Sequence, residues 1–249
     1  MIISEYHRPA TLEEALALLA RAGVKSAPLG GGTVLNGLPK DVPEAVVDLQ
    51  SLGLDSISEK GETLMIGAMS TLDSLTKDDS VPHLLRELAH REAPNTIRNS
   101  ATIGGTIGAR DLESGLLAGL LAYDTQVTVL NQGGSSQIPL GDLLADPSHL
   151  DIAVITSVSV PMGGAGVYDS TARTPADIPI VLVAGHVSSS GTIRLAAAGV
   201  SETPIIVKPD QIEALDPQPD FRGSADYRRH LARVLSQRVT TRLEDRDSP

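Results

Sequence analysis

Apolar residues in this chain recur with two periods, and the change from one to the other marks its elements. Leu12, Ala15, Leu16, Leu18 and Leu19 follow helical spacing. Thr11-Leu12-Glu13-Glu14 before them reads as a capping box, and Gly23 is placed to end that helix in a left-handed conformation. Residues 26–29 are extended and run into Gly30-Gly31-Gly32-Thr33, and the apolar run 45–49 predicts a buried strand. The first sixty or so residues therefore read as β/α alternation around a glycine turn. Beyond them the pattern predicts a strand over 63–68, short helices around 71–76 and 81–91, and a second glycine turn at Gly104-Gly105. A helix over 115–123, a strand over 126–130, a hairpin turn over 131–136 and its return at 137–140 follow. Another strand is expected over 152–160, and the small residues 162–166 read as a linker. Two strand-like runs, 180–188 and 192–200, precede a closing helix over 224–242 and a frayed polar tail, 244–249.

Composition narrows the classes. The chain has 249 residues and a formal net charge of −11, which repels a nucleic-acid backbone. Five aromatic residues, Tyr6, Tyr123, Tyr168, Phe221 and Tyr227, offer no stacking platform for bases. Cysteine is absent, so thiolate chemistry and cysteine-held iron–sulfur clusters are excluded from this polypeptide. The histidines have no ligand spacing, and no protein metal site is expected. Without a membrane-spanning run or a signal peptide, a cytoplasmic location is the expectation. Redox chemistry here would need an organic cofactor.

Two segments carry candidate chemistry. Gly30-x-Gly32 is followed three residues on by Leu35, which breaks a dinucleotide fingerprint; Gly32 and Gly37 have P-loop spacing, but Leu38 stands where lysine is required. What remains is Leu29-Gly30-Gly31-Gly32-Thr33-Val34-Leu35 and, far along the chain, Thr102-Ile103-Gly104-Gly105-Thr106. Glycines let a backbone turn sharply and bring its N–H groups close to a phosphate. Thr33, Thr102 and Thr106 would add hydroxyls to the same anion. Each segment alone also reads as a plain tight turn; as a pair facing one another they would hold a diphosphate without lysine.

The second segment, Ile97-Arg98-Asn99-Ser100-Ala101-Thr102-Ile103-Gly104-Gly105-Thr106-Ile107 with Ala109-Arg110-Asp111 after it, resembles the flavin subunits of molybdenum hydroxylases, of the xanthine dehydrogenase and carbon monoxide dehydrogenase type. Those carry I-R-N-x-x-T-I-G-G-N-I followed by A-D-P. Gly30-Gly31-Gly32-Thr33 is similar to their A-G-G-T loop, Tyr6-His7-Arg8-Pro9 to their opening, and Gly67-Ala68-Met69-Ser70-Thr71 to their G-A-x-x-T strand end. Arg173 with Asp177-Ile178 resembles their R-x-x-x-D-I-A element, and Asp220-Phe221-Arg222-Gly223-Ser224-Ala225 their C-terminal signature. The matches run in order over nearly the whole chain.

The resemblance implies an α+β protein with a two-lobed FAD-binding domain of the PCMH type over 1–161 (lobes at about 1–56 and 57–161). A small C-terminal α+β domain, an antiparallel sheet with helices, would occupy 167–243. It implies FAD between the glycine segments, held by residues 29–35 and by Thr102, Ile103, Gly104, Gly105, Thr106, Ala109 and Asp111. It also implies a large partner with molybdopterin, a small partner with 2Fe-2S clusters, and NAD, quinone or ferredoxin as acceptor. Departures fall at Val34, Thr106, Leu112 and Gly115, where relatives have polar, Asn, Pro and acidic residues, and the chain is shorter around 133–167. Two roles stand open for Asp111: ordering the second glycine segment and its cofactor, or capping the next helix. Arg173 and Asp177 are expected as a surface ion pair, with an approach to the flavin edge or acceptor as the alternative. Tyr168 is expected in packing, with a place beside the isoalloxazine ring as the alternative, and Arg222, Arg228, Arg229, Arg233 and Arg238 on a solvated or partner-facing side of a helix. The functional expectation is an electron-transfer subunit holding FAD, with a flavin-free scaffold of the same fold as the alternative. A stand-alone flavin oxidoreductase of the vanillyl-alcohol oxidase type is disfavoured for want of a substrate domain.

Overall fold

A computed structural model describes residues 3–35, 44–174 and 177–247. Gly37 and Leu38, and Ser248 and Pro249 of the tail, which figured in the readings above, lie outside the described residues. In chain order the strands and α-helices are β1 (Glu5–His7), α1 (Leu12–Leu19), β2 (Ser26–Leu29), β3 (Ala45–Asp48), β4 (Ile57–Lys60), β5 (Thr63–Gly67), α2 (Leu72–Lys77), α3 (His83–Glu92), α4 (Asn95–Arg98), α5 (Ile103–Ala109) and α6 (Gly115–Ala122). They continue with β6 (Gln126–Asn131), β7 (Gly134–Pro139), α7 (Leu140–Ala145), β8 (Val154–Pro161), β9 (Ala165–Thr171), β10 (Val181–Val187), β11 (Ile193–Ala198), β12 (Ile205–Val207) and α8 (Ala225–Asp247).

The first sheet is parallel, ordered β1-β3-β2. Its helix α1 starts as the capping box requires: Thr11 Oγ1 accepts the Glu14 N–H at 3.2 Å, and Glu14 Oε2 accepts the Ala10 N–H at 2.9 Å. Gly23 does have a left-handed backbone, but in the turn beyond; α1 ends earlier, on Ala20. Central β3 is buried throughout, Asp48 included. Burial pushes the Asp48 carboxyl up, but hydrogen bonds from Tyr6, the Gln50 N–H and Arg8 outweigh this and hold it below its usual range. That accounts for the Tyr-x-Arg opening of the chain.

The second sheet is antiparallel, β4-β5-β8-β6-β7. Alternate residues such as Leu64, Ile66, Val127 and Val129 point into a core shared with α2, α3, α5, α6 and α7. The third sheet, β12-β11-β10-β9, is also antiparallel. Here the two-residue period divides one strand between two cores. Leu182 and Ala184 of β10, with Ala196 and Ala198 of β11, pack into the core that contains α6. Val181, Val183, Leu195 and Ala197 face Leu235, Val239 and Leu243 of α8. Buried on both faces, β10 reads as an unbroken apolar run rather than an alternating one. The third sheet thus forms the filling between α6 and α8.

Four expectations are corrected. Gly104 and Gly105 are not a turn: they lie inside α5. The linker 162–166 has little freedom, because β9 starts at Ala165, a Cβ on Gly164 would overlap the Val187 carbonyl, and one on Gly166 would lie 2.7 Å from Leu84 Cδ2. Its small residues are there for close packing. The tail from Glu244 continues α8 through Asp247 instead of fraying. The arginines divide: Arg233 and Arg238 are solvated, whereas Arg228 is buried and Arg222 nearly so. Among the described residues no helix is long and apolar enough to cross a membrane.

Arg228 ties the third sheet to α8: its Nη1 donates to the carbonyls of Ile180 (2.8 Å) and Gly199 (2.9 Å), and its Nη2 pairs with Asp220 at 2.8 Å. Removing one partner of such a buried set strands the others. Arg228→Ala is expected to lower stability by about 3–5 kcal/mol, read as a fall in the urea midpoint. A loss within the ~0.5 kcal/mol typical of surface sites would contradict this placement.

Candidate functional site

β2 ends at Leu29, held at the edge of the parallel sheet by the Leu49 N–H bonding to its carbonyl (3.1 Å), and the chain then turns through Gly30, Gly31 and Gly32. A Cβ on Gly31 would overlap the carbonyl oxygen of Ser100, and one on Gly30 would lie 2.8 Å from Thr102 Oγ1. The two glycine segments, separated by some seventy residues of sequence, are therefore in backbone contact. Gly32 has φ of +72°, a left-handed conformation natural to glycine.

The opposing wall is α5. Its first turn is clamped to the corner after β5: the Ile103 N–H bonds to Ser70 O (3.0 Å), the Gly104 N–H to Ala68 O (2.9 Å), and the Leu72 N–H to Ala101 O (2.8 Å). Thr102 caps the helix, its Oγ1 accepting the Gly105 N–H at 3.1 Å, while the Thr106 hydroxyl donates to Thr102 O at 3.1 Å. Gly104 is glycine because a Cβ would lie 2.8 Å from the Ala68 carbonyl oxygen. The N–H groups of Ile103, Gly104 and Gly105 and the Thr106 hydroxyl are thus spent within the protein, contrary to the expectation that both segments offer N–H groups and hydroxyls to one anion. What α5 presents instead is a surface almost without side chains, Gly105, Gly108 and Ala109. Among the described residues nothing accepts a hydrogen bond from the N–H groups of Gly30, Gly31 or Gly32, so the free donors belong to the first segment.

Between these walls lies a cavity of about 310 Å3. Of the residues expected at a cofactor site, Gly30, Gly31, Gly32, Thr33, Val34, Leu35, Thr102, Gly104, Gly105 and Ala109 line it. Leu29, Ile103, Thr106 and Asp111 do not. Ile103 is fully buried in the core and Thr106 is tied into its own helix. Apolar groups that sequence reasoning left out complete the lining, chiefly Met69, Leu49, Leu150 and Ile155. Gly108, also left out, was legible as the partner of Gly105 one helical turn on. Among the described residues no charged side chain lines this cavity.

A second cavity, of about 590 Å3, lies between the α4–α6 region and the segment before β10. Asp111 faces this one. Its Oδ1 accepts the Glu113 N–H at 2.9 Å, and the cap of α6 is Ser114, so Asp111 does not cap that helix. Asp177 also lines the second cavity; it accepts the Thr174 N–H at 3.1 Å and makes no ion pair with Arg173. Tyr168 is in packing, as expected, and lines neither cavity: its hydroxyl donates to Glu87 at 2.8 Å and Arg91 lies over its ring. Sequence reasoning missed Glu92, the last residue of α3. Its carboxylate accepts from Ser114 Oγ and from the Leu116 N–H (3.0 Å), and burial drives its pKa up to about 6.

A family model described as the FAD binding domain in molybdopterin dehydrogenase matches residues 2–163, both glycine segments included. The chain belongs to this family. It is 30% identical over 248 residues to the uncharacterized protein YgfM of Escherichia coli K12, covering 94% of each chain. To the carbon monoxide dehydrogenase medium chain of Afipia carboxidovorans it is 27% identical, covering 97% of each. Among solved structures, carbon monoxide dehydrogenase from Hydrogenophaga pseudoflava superposes with a TM-score of 0.88 at 26% identity, covering 99% of both chains. The flavoprotein fold that the motifs implied is the fold of this chain, from β1 through the third sheet.

The contact of Gly31 with the Ser100 carbonyl yields a test. Backbone on backbone cannot yield as a side chain tip would, so Gly31→Ala is expected to destabilise at or above the ~1–3 kcal/mol of ordinary overpacking. It should also displace the Gly30–Gly32 donors and lower FAD affinity by at least tenfold in a fluorescence titration. An alanine variant with wild-type melting temperature and affinity would contradict the close approach.

Proposed function

We propose that this chain is the FAD-binding, electron-transfer subunit of a cytoplasmic molybdenum hydroxylase complex. A large partner would carry molybdopterin and a small one the 2Fe-2S clusters. Bound FAD would supply the redox chemistry, taking electrons from those clusters and passing them to NAD, a quinone or ferredoxin. The observation that carries the reading is the convergence of two distant glycine segments on one uncharged cavity with free backbone donors. The N–H groups of Gly30, Gly31 and Gly32 hold the diphosphate, in the manner of a backbone nest. The bare face of Gly105, Gly108 and Ala109 lets the dinucleotide lie close to α5. Apolar Met69, Leu49, Leu150 and Ile155 take its adenosine end and exclude water. The partners come from the relatives: those named as carbon monoxide dehydrogenase medium chains are components of larger enzymes, and this chain spans nearly their whole length. The absence of cysteine fits a subunit that receives electrons from clusters held elsewhere. The flavin-free scaffold of the same fold is less favoured, because the cavity and its donors persist despite Val34, Thr106 and Gly115.

Ligand binding to the native state raises its stability in proportion to the logarithm of saturation. At about a hundred times its dissociation constant, FAD should stabilise the purified chain by about 2.7 kcal/mol, a rise of roughly 5–10 °C in melting temperature. FMN, which lacks the adenosine half, should give a clearly smaller rise. No shift and no bound flavin absorbance with FAD would favour the scaffold. Native mass spectrometry of the protein from its host should find it with a large and a small partner; a chain that turns over alone would argue against the subunit role.

A further inference from the structure

The second cavity contains a carboxylate that the fold keeps under unfavourable conditions. Glu92 lies partly accessible on its wall, yet protein atoms crowd it. Charged groups face it from every neighbouring element. His90 and Arg91 share α3 with it, Arg98 comes from α4, Asp111 and Glu113 from the α5–α6 connection, and Asp177 from the segment before β10. Arg98 does not neutralise it: its Nη1 donates to the carbonyls of His90 (2.9 Å) and Ala93 (2.8 Å), and its Nη2 to Asn95. Arg98 is itself only 8% exposed and leaves its Nε without a partner, a second underused polar group on the same wall. Glu113 is committed to Arg222. Asp111 adds repulsion to the burial that already disfavours ionisation of Glu92.

The neighbouring start of α6 carries no side chain at Gly115. A Cβ there would lie 3.1 Å from Leu182 Cδ1 and 3.5 Å from Leu88 Cδ2, so a side chain at this position would press on the tip of Leu182. Glu92 approaches the same place from the other side, gripped by the residues on either side of Gly115, Ser114 and Leu116. Among these charged groups the lining also has apolar patches, exposed Ile97 and Ile178 and buried Leu88 and Leu182. A cavity of this size takes a ring system, and the Glu92 carboxylate lies on its wall.

We propose that Glu92 is a ligand-binding residue of this chain, its carboxylate accepting a hydrogen bond from a ring N–H of the flavin in the cavity between α6 and the third sheet. The proposal rests on the reading of the chain as an FAD-binding subunit and deepens it. A residue kept for packing should stabilise the empty protein; one kept for a ligand can cost it stability. Because the Glu92 pKa of about 6 lies above the ordinary 4.5, its protonated form is favoured by folding. That contribution is present below pH 4.5 and is lost as pH rises through 6, where the ionised form is the one that binds the N–H.

Glu92→Gln keeps the shape and removes the charge. The variant is expected to bind FAD and FMN about ten- to a hundredfold more weakly at pH 7.5, the loss of one charge-assisted hydrogen bond. ADP, which lacks the ring, should bind it as it binds the wild type. The empty variant should melt no lower than the wild type at pH 7.5. FAD affinity of the wild type should be level above about pH 7 and fall below pH 6, and that of the variant should be flat. The proposal is overturned by FAD affinity within twofold of wild type, by an equal loss for ADP, or by a melting temperature that falls together with affinity, as packing alone would give. It is equally overturned, without any variant, by a wild-type affinity that does not change between pH 5 and 8. A wild-type chain that binds no FAD at any pH would instead remove the functional reading itself.

Discussion

The fold around the first cavity depends on one contact that no side chain makes, the packing of the Gly31 backbone against the Ser100 carbonyl. It joins the parallel sheet to the antiparallel one at a point where neither has atoms to spare. With that approach fixed, the turn after β2 is held open toward α5 and its N–H groups are left over. The corner at Ala68–Leu72 completes the arrangement by taking up the first donors of α5. One glycine segment is thereby free to bind because the other is fully engaged in holding it. The pair is asymmetric, although the two look alike as strings of residues.

That a cavity with no charged side chain among the described residues should hold a doubly charged diphosphate, as proposed, is less contradictory than it looks. Backbone N–H dipoles fixed by the fold need not reorganise, and in a low-dielectric setting they count for more than in water. The departures from the family pattern can be placed against this. Val34 sits half exposed on the cavity wall, where it adds apolar surface without removing a backbone donor. Thr106 spends its hydroxyl on its own helix. The Leu112 carbonyl accepts the Gly199 N–H at 2.8 Å and so fastens the α5–α6 connection to the third sheet. Gly115 makes room for Leu182. Two of the four thus serve packing against the third sheet, and none breaks the backbone nest.

Much of this was legible in the sequence. Amphipathic period and capping chemistry marked α1, α2, α3 and the strands β2, β3, β5, β6, β8, β10 and β11 within about two residues, because those signals are local, whereas β1, β4, β9 and β12 were not read. The motifs placed the first cavity as well. What was not legible has a common cause, tertiary contact overriding local preference. Glycine costs a helix roughly 1 kcal/mol relative to alanine, so Gly104-Gly105 reads as a turn until the clamp from Ser70 and Ala68 is known. Small residues at 162–166 read as freedom until Val187 and Leu84 are found against them. Arg228 reads as a surface arginine on a basic helix, and only the carbonyls of Ile180 and Gly199 make it internal. Glu92 gave no signal, since an acidic residue at the end of an amphipathic helix is ordinary until burial is known.

The third sheet makes the second cavity a property of the whole chain rather than of one lobe. Because β10 is buried on both faces, α6 cannot shift without disturbing the core it shares with Leu182 and Ala184, and α8 cannot shift without disturbing the opposite face. A second tie runs through the Arg222 guanidinium, which bonds Glu113 on the α5–α6 connection as well as Asp220 beside α8. Arg222 is partly buried, and its two acidic partners hold its charge more firmly than water would. The residues lining the cavity thus come from elements whose mutual positions are set by packing and by a charge network, not by flexible loops. A ring held there for electron transfer, as proposed, would need that rigidity more than many contacts, and the C-terminal sheet would provide it.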